Sequence, residues 1–273
     1  MTRSGICPYT APMILNRLAT ALRRQEWFTV VLEVFIVVVG ILIALQVENW
    51  NEDRKERADA ADWRRQILAD LGQAHWELSG RRSYNAEALA FGEKALALMI
   101  DDRPLDDTAA WDLVLGAFQA GQIWPYQLTG PAFREAQNAG GLGLVAEPQV
   151  IVALASLYDV EAHDYELVSG GLPKYRELIR ERLPWALQSH IWDADCQRDT
   201  VAEDRDDYLF ELVRCPPPDD AALVHAAALA LRGDEEVQDS LRGRLSQLKV
   251  SEASTSRLIE RVENAIRALQ DSR

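Results

Sequence analysis

The chain has 273 residues, a net charge of −14, 48% apolar residues and 26% charged residues. That mix excludes wholesale disorder and a Gly/Pro-rich fibre, and the length allows one or two domains with a real core. The acidity excludes a nucleic-acid partner, because such binding needs basic patches that displace counterions from phosphates.

The first element is a short basic tail, residues 1–27, with Arg3, Arg17, Arg23 and Arg24 against one acid, Glu26. Met13 offers a second start that keeps three of those arginines. Residues 28–47 follow as FTVVLEVFIVVVGILIALQV, in which only Thr29, Glu33 and Gln46 are polar. Such a stretch at 1.5 Å per residue covers roughly 30 Å, the thickness of a bilayer core. Trp27 and Trp50 bracket it at the headgroup level that Trp prefers. A buried core helix rarely combines this length with flanking Trp. A cleaved signal peptide lacks its A-x-A site at Ala44-Leu45-Gln46. Residues 28–47 therefore read as a transmembrane helix in contact with the lipid bilayer.

Counting Lys and Arg on the two sides does not by itself orient the span. Arg23 and Arg24 abut it without intervening acids, whereas Arg54, Lys55 and Arg57 are interleaved with Glu52, Asp53 and Glu56. Long domains also translocate largely regardless of charge. The tail is expected in the cytoplasm and the acidic domain on the exported side. Glu33, Val37, Gly40 and Ala44 share one helical face. Gly40-x-x-x-Ala44 is a small-xxx-small pattern that lets two spans pack closely, so weak self-association is expected there. Glu33 lies five residues past Phe28 and reads as an interfacial contact rather than a site of proton chemistry.

Arg23-Arg24-Gln25-Glu26-Trp27-Phe28, followed by VGILIALQVENWNE from Val39 to Glu52, resembles the amino-terminal anchor of an uncharacterised bacterial family of single-span membrane proteins, a domain of unknown function. The run G-I-L-I-A-L-Q-x-x-N-W-N-E carries the resemblance, which is specific over residues 16–65 and looser from Phe133 to Tyr158. It implies a bacterial inner-membrane protein and no particular activity.

Beyond the span the chain reads as helices. Asn49 to Arg57 continues the membrane helix as a stalk, with Asp53 and Arg57 as an i,i+4 pair. Ala60, Trp63, Ile67, Leu71, Ala74 and Leu78 fall on one amphipathic face, and Tyr84, Ala88, Phe91, Ala95 and Leu98 repeat it. Asp101 to Pro104 breaks the pattern. Thr108 is the expected cap of a helix carrying Trp111, Leu115 and Phe118. Gly140-Gly141 ends a helix through Phe133 and Ala136. Pro148 opens one carrying Ile151, Leu154, Tyr158 and Tyr165, and Pro173 opens one through Tyr175, Leu178 and Leu183. Asp219, after the triplet Pro216-Pro217-Pro218, is the expected cap of a helix ending at Gly233. Val237, Leu241, Leu245 and Leu248 form a further stripe, and Ile259, Val262, Ile266 and Leu269 the last. No stretch alternates at period two for long. The expected fold is all-α: one N-terminal transmembrane helix, then a helical bundle. Residues 48–215 form the stalk and main domain, and residues 216–273 form C-terminal helices packed on it.

No catalytic signature stands out. The chain has no nucleophile elbow, P-loop or zinc-protease motif, and Gly140-Gly141-Leu142-Gly143 lacks the Lys and Ser/Thr of a phosphate loop. Asp159 and His163 pair at i,i+4, and His190 to Cys196 concentrates ligand types, but neither supplies a complete metal set. Asp204, Asp206 and Asp207 lack the Gly and Glu of an EF-hand and read as a solvated face. No cofactor is expected. With Cys7 in the reducing tail, Cys196 and Cys215 remain as an even pair on the oxidising side and form a candidate disulfide. The expected function is a membrane-anchored interaction or sensing module acting on an unidentified protein partner or small ligand. The alternative is an exported metal-dependent enzyme using His163 or His190.

Overall fold

A computed structural model describes residues 12–169, 171–201 and 208–272, with backbone alone for residues 12–26, 29, 30, 200, 201 and 208. Two compact units divide the chain between Asp59 and Ala60, and each is described by itself. Arg23 and Arg24 lie in helix, but their side chains fall outside the described set, as do Cys7 and the cluster Asp204, Asp206 and Asp207.

The long helix α1, Pro12–Ile100, supplies all of the described part of the first unit. Its apolar stretch is long and apolar enough to cross a membrane, and none of it is buried within the protein. Trp27, Trp50, Val34, Ile36, Leu42 and Ile43 are all exposed, as are Glu33 and Ala44. A helix that is apolar on every side needs an apolar environment on every side. A Cβ on Gly40 would meet nothing within 4 Å. The Arg57–Asp53 pair forms at 3.6 Å and is exposed.

In the second unit the expected stripe is buried: Ala60, Ile67, Leu71, Ala74, Leu78, Tyr84, Ala88 and Ala95. Helix α2, Asp107–Ala120, is the central element, buried at every position from Ala110 to Ala120. Asp106, rather than Thr108, caps it, accepting a bond from the Ala109 amide at 2.7 Å. An N-cap must sit outside the helix with extended backbone, and Asp106 does, at ψ 174°. Gly116 lets α1 and α2 approach, because a Cβ there would stand 2.6 Å from the Phe91 carbonyl oxygen.

Short helices then alternate with tight corners. They are α3 (Pro131–Asn138), α4 (Leu142–Val145), α5 (Pro148–Ser156) and α6 (Ala162–Ser169), the last two joined by a π turn over Leu157–Glu161. Gly140 adopts φ +73° at the α3–α4 corner, the left-handed conformation that glycine tolerates. The helix opened by Pro173 is two helices, α7 (Lys174–Arg182) and α8 (Trp185–Asp193). Pro184 disfavours helix at Leu183 and breaks the run. Helix α9, Ala221–Arg232, is capped by Asp220 rather than Asp219, through the Leu223 amide. The last two apolar stripes belong to one 37-residue helix, α10, Glu235–Asp271.

Helices α10 and α1 run antiparallel in this unit. His75 meets Glu263 at 3.0 Å, Lys249 lies near Glu93, and Arg64 donates to the Leu269 and Ser272 carbonyls. One core gathers α2, α7, α8 and α9 at the Leu241 end of α10, and a second gathers α3 to α6 at the Ile259 end.

The fold is all-α, as expected, and among the described residues the one sheet is a two-stranded hairpin, β1 (Gln197–Val201) and β2 (Tyr208–Leu212). Its first strand, QRDTV, has no apolar alternation to betray it. Cys196 and Cys215 are disulfide-bonded at its base with Cα atoms 4.9 Å apart, inside the range a bridge requires. Both flanking carbonyls are tied to α2: Gln119 donates to Cys196 O at 2.7 Å and Trp111 to Cys215 O at 2.8 Å.

Candidate functional site

The extended segment between α2 and α3, residues 122–130, crosses α1 and organises two cavities. On α1, Asp70, Gln73, Glu77 and Arg81 recur at helical spacing beside the apolar stripe, so a polar strip faces this crossing segment. Arg81 is only 7% exposed. Its guanidinium lies between the rings of Trp124 and Tyr126, 4.2 and 4.3 Å from their centroids. It donates to the Glu77 carbonyl and carboxylate and to the Pro125 carbonyl. Burial lowers the Arg81 pKa, against the pull of Glu77. The sandwich fixes the crossing segment on α1 through cation–π contacts and charge-assisted hydrogen bonds.

Beside it a cavity of about 320 Å³ opens, lined by Asp70, Gln73, Glu77, Arg81, Tyr126 and Thr129 among others. Gln73 and the Arg81 guanidinium occupy the two Glu77 carboxylate oxygens. Asp70 accepts from the Ala132 amide at the start of α3, and no cation pairs with it among the described residues. The Arg81 Nε is buried without a partner. The size suits a small molecule, and the lining suits one with hydrogen-bonding groups.

Gln127 and Thr129 also line a second cavity of about 260 Å³, with Arg134, Tyr158, His163 and Glu166. Burial raises the Tyr158 pKa, helped by Asp70, and its hydroxyl is buried without a partner. The π turn passes here. Such turns recur at functional sites, and this one re-spaces the face that carries Asp159 and His163. Asp159 pairs with Arg134 at 2.8 Å.

The other histidines are dispersed. His190 bonds the Pro216 carbonyl and meets the Trp111 ring edge-on, and His225 meets Asp107 at 2.7 Å. Among the described residues no group of three or more His, Cys, Asp or Glu is arranged so that it could hold a metal ion. The polar strip on α1 was not singled out from the sequence. Its legible signal is a second helical stripe, polar rather than apolar, on a helix that also carries a buried face.

The chain matches no family model, no curated protein and no solved structure.

Proposed function

We propose that this is a bacterial inner-membrane protein with a cytoplasmic N-terminus and a periplasmic helical domain. The domain acts as an interaction or sensing module for a protein partner or small ligand. The observation that carries the reading is the pairing of an apolar helical stretch, exposed on every side, with a disulfide in the domain that follows it. Disulfides persist in oxidising compartments and are rare in the cytosol. The resemblance of residues 23–52 to the single-span anchor family supports the bacterial inner membrane. The cavity beside Arg81 supports the ligand-responsive side of the reading, and the Gly40–Ala44 face supports weak pairing of two spans.

Topology is the test. Alkaline phosphatase fused to the C-terminus is expected to be active and green fluorescent protein fused there to be dark. The reverse pattern overturns the proposal.

A further inference from the structure

Three arginines converge where α2 ends, and every group they bond is neutral. Arg176 Nη1 donates to the Gly121 carbonyl at 3.0 Å and to Gln122 Oε1 at 2.6 Å. Arg180 Nη2 donates to the same Gln122 Oε1 at 3.3 Å. Arg244 donates from Nε to the Ala120 carbonyl and from Nη2 to the Gln122 carbonyl, at 2.9 and 2.8 Å. The carbonyls at a helix C-terminus carry roughly half a negative charge, so capping α2 accounts for part of this arrangement. It leaves most of three positive charges uncompensated.

No carboxylate pairs with Arg176, Arg180 or Arg244 among the described residues, in a chain with 43 acids to 29 bases. Arg244 is buried and Arg176 and Arg180 are half-buried, and like charges gathered on one amide repel. Burial lowers the Arg244 pKa to about 10, against an opposing pull from Tyr84 and with Arg176 adding to the effect, and Arg180 is lowered by burial and then by Arg176. The second observation is Gln122 itself. It is 2% exposed, and its Nε2 has no partner. Turning the amide over would aim that donor at two guanidiniums, so the donor stays beside them. The acceptors at this point are neutral carbonyls and the Gln122 amide oxygen, and none of them carries a full negative charge.

We infer that Arg176, Arg180 and Gln122, backed by Arg244, form a binding site for a small free oxyanion, a phosphate or carboxylate group. Guanidinium forks match both geometrically. Aromatic rings flank Arg180: its guanidinium lies 5.4 Å from the ring centroid of the buried Phe118 and 5.8 Å from that of the exposed Trp192. The site is separate from the cavity beside Arg81 and does not depend on the membrane topology.

The test uses the full chain in a non-ionic micelle at constant ionic strength. Inorganic phosphate or acetate, replacing chloride, is expected to raise the unfolding midpoint in a saturable way. A non-saturating rise is the general effect of an excluded anion. R180Q is expected to weaken binding about tenfold or more, the scale of one charge-assisted hydrogen bond. Arg180 makes one long hydrogen bond within the protein, so this variant leaves the cap of α2 to Arg176 and Arg244. R180K keeps the charge without the fork and is expected to bind between wild type and R180Q. A short-chain phosphatidylglycerol added to the same micelle separates a lipid headgroup from a free anion. The inference is overturned by no saturable shift with phosphate or acetate, by equal shifts in wild type, R180K and R180Q, or by a response confined to the lipid.

Discussion

Helix α1 contains two leucines with opposite fates. Leu42 is 55% exposed within the apolar stretch, and Leu71 is 0% exposed in the domain. Backbone and residue type are the same, so the difference lies in what each helical stretch presents around its circumference. Residues 31–47 are apolar on all faces, whereas residues 60–99 confine apolar side chains to a stripe and leave the rest polar. The first pattern suits an apolar environment on every side. The second selects one face for α3 to α6 and for α10. Circumferential pattern, rather than apolar content, decides which solvent a helix requires.

The sharpest way to break that comparison is to truncate both leucines. Leu71→Ala is expected to destabilise the domain by about 2–5 kcal/mol, the range for a buried Leu that leaves a cavity. Leu42→Ala is expected to shift domain unfolding by less than about 0.5 kcal/mol, as for a site making no packing contact within the fold. Denaturant unfolding of the full chain in micelles, followed by near-UV circular dichroism, reads both. Equal losses would mean that the apolar stretch is packed against the domain and that its exposure is misassigned.

The disulfide extends the contrast to covalent chemistry. Cys196 and Cys215 are separated by 19 positions, and closing a loop of that order is worth about 3 kcal/mol in the chain-entropy account. The C196S/C215S double variant is therefore expected to unfold at lower denaturant concentration by that amount. The largest effect should fall on the hairpin and on the α2 bonds to the two flanking carbonyls. Mass spectrometry of protein taken from the membrane should find both thiols blocked until reduction. Alkylation of both without reductant would count against the bridge and the exported topology together.

Much of the architecture was legible because its signals are local. The span, the apolar stripes, the break at Asp101 to Pro104 and the proline openings all follow from residues within one or two turns. The exceptions share a cause. Thr108 and Asp219 are reasonable caps by type, but the neighbouring Asp106 and Asp220 hold the position that reaches the next free amide. The hairpin strand QRDTV owes its form to its partner strand and to the bridge that ties Cys196, just before it, to Cys215. Arg81 was silent because its meaning depends on Trp124 and Tyr126, more than 40 positions away. The arginine cluster draws on α7 and α10, and no spacing along the chain connects them.

A smaller effect is expected at the buried carboxylate of α2. Burial pushes the Asp112 pKa up, but hydrogen bonds from Lys94 at 2.7 Å and Arg214 at 2.8 Å outweigh it, and the net pKa is lowered. A carboxylate depressed in the folded state stabilises fully above its unfolded value. That contribution is lost as pH falls below about 4 towards the folded value. Asp112→Asn is expected to cost about 1–3 kcal/mol at neutral pH, the scale of lost charge-assisted bonds. It should also flatten the acid limb of the stability profile. An unchanged acid limb would show that this pair of bridges contributes nothing to stability. Glu33, the single carboxylate of the apolar stretch, is exposed and pairs with no cation among the described residues, which keeps the contrast between the two stretches of α1.

The smallest expected effect belongs to the span itself. A Cβ on Gly40 would meet nothing within 4 Å, so a larger side chain is free of conflict within one copy of the chain. Any consequence of Gly40→Ile must then arise between copies, where a small residue on the Gly40–Ala44 face lets two backbones approach. Association between such helices is weak, on the order of 1 kcal/mol per favourable contact. A membrane two-hybrid signal is expected to fall several-fold with Gly40→Ile, while domain stability stays unchanged. Leu42→Ile, two positions on and on the opposite face, is expected to leave the signal intact. If the two substitutions act alike, the face carries no specificity, and the span serves only as an anchor.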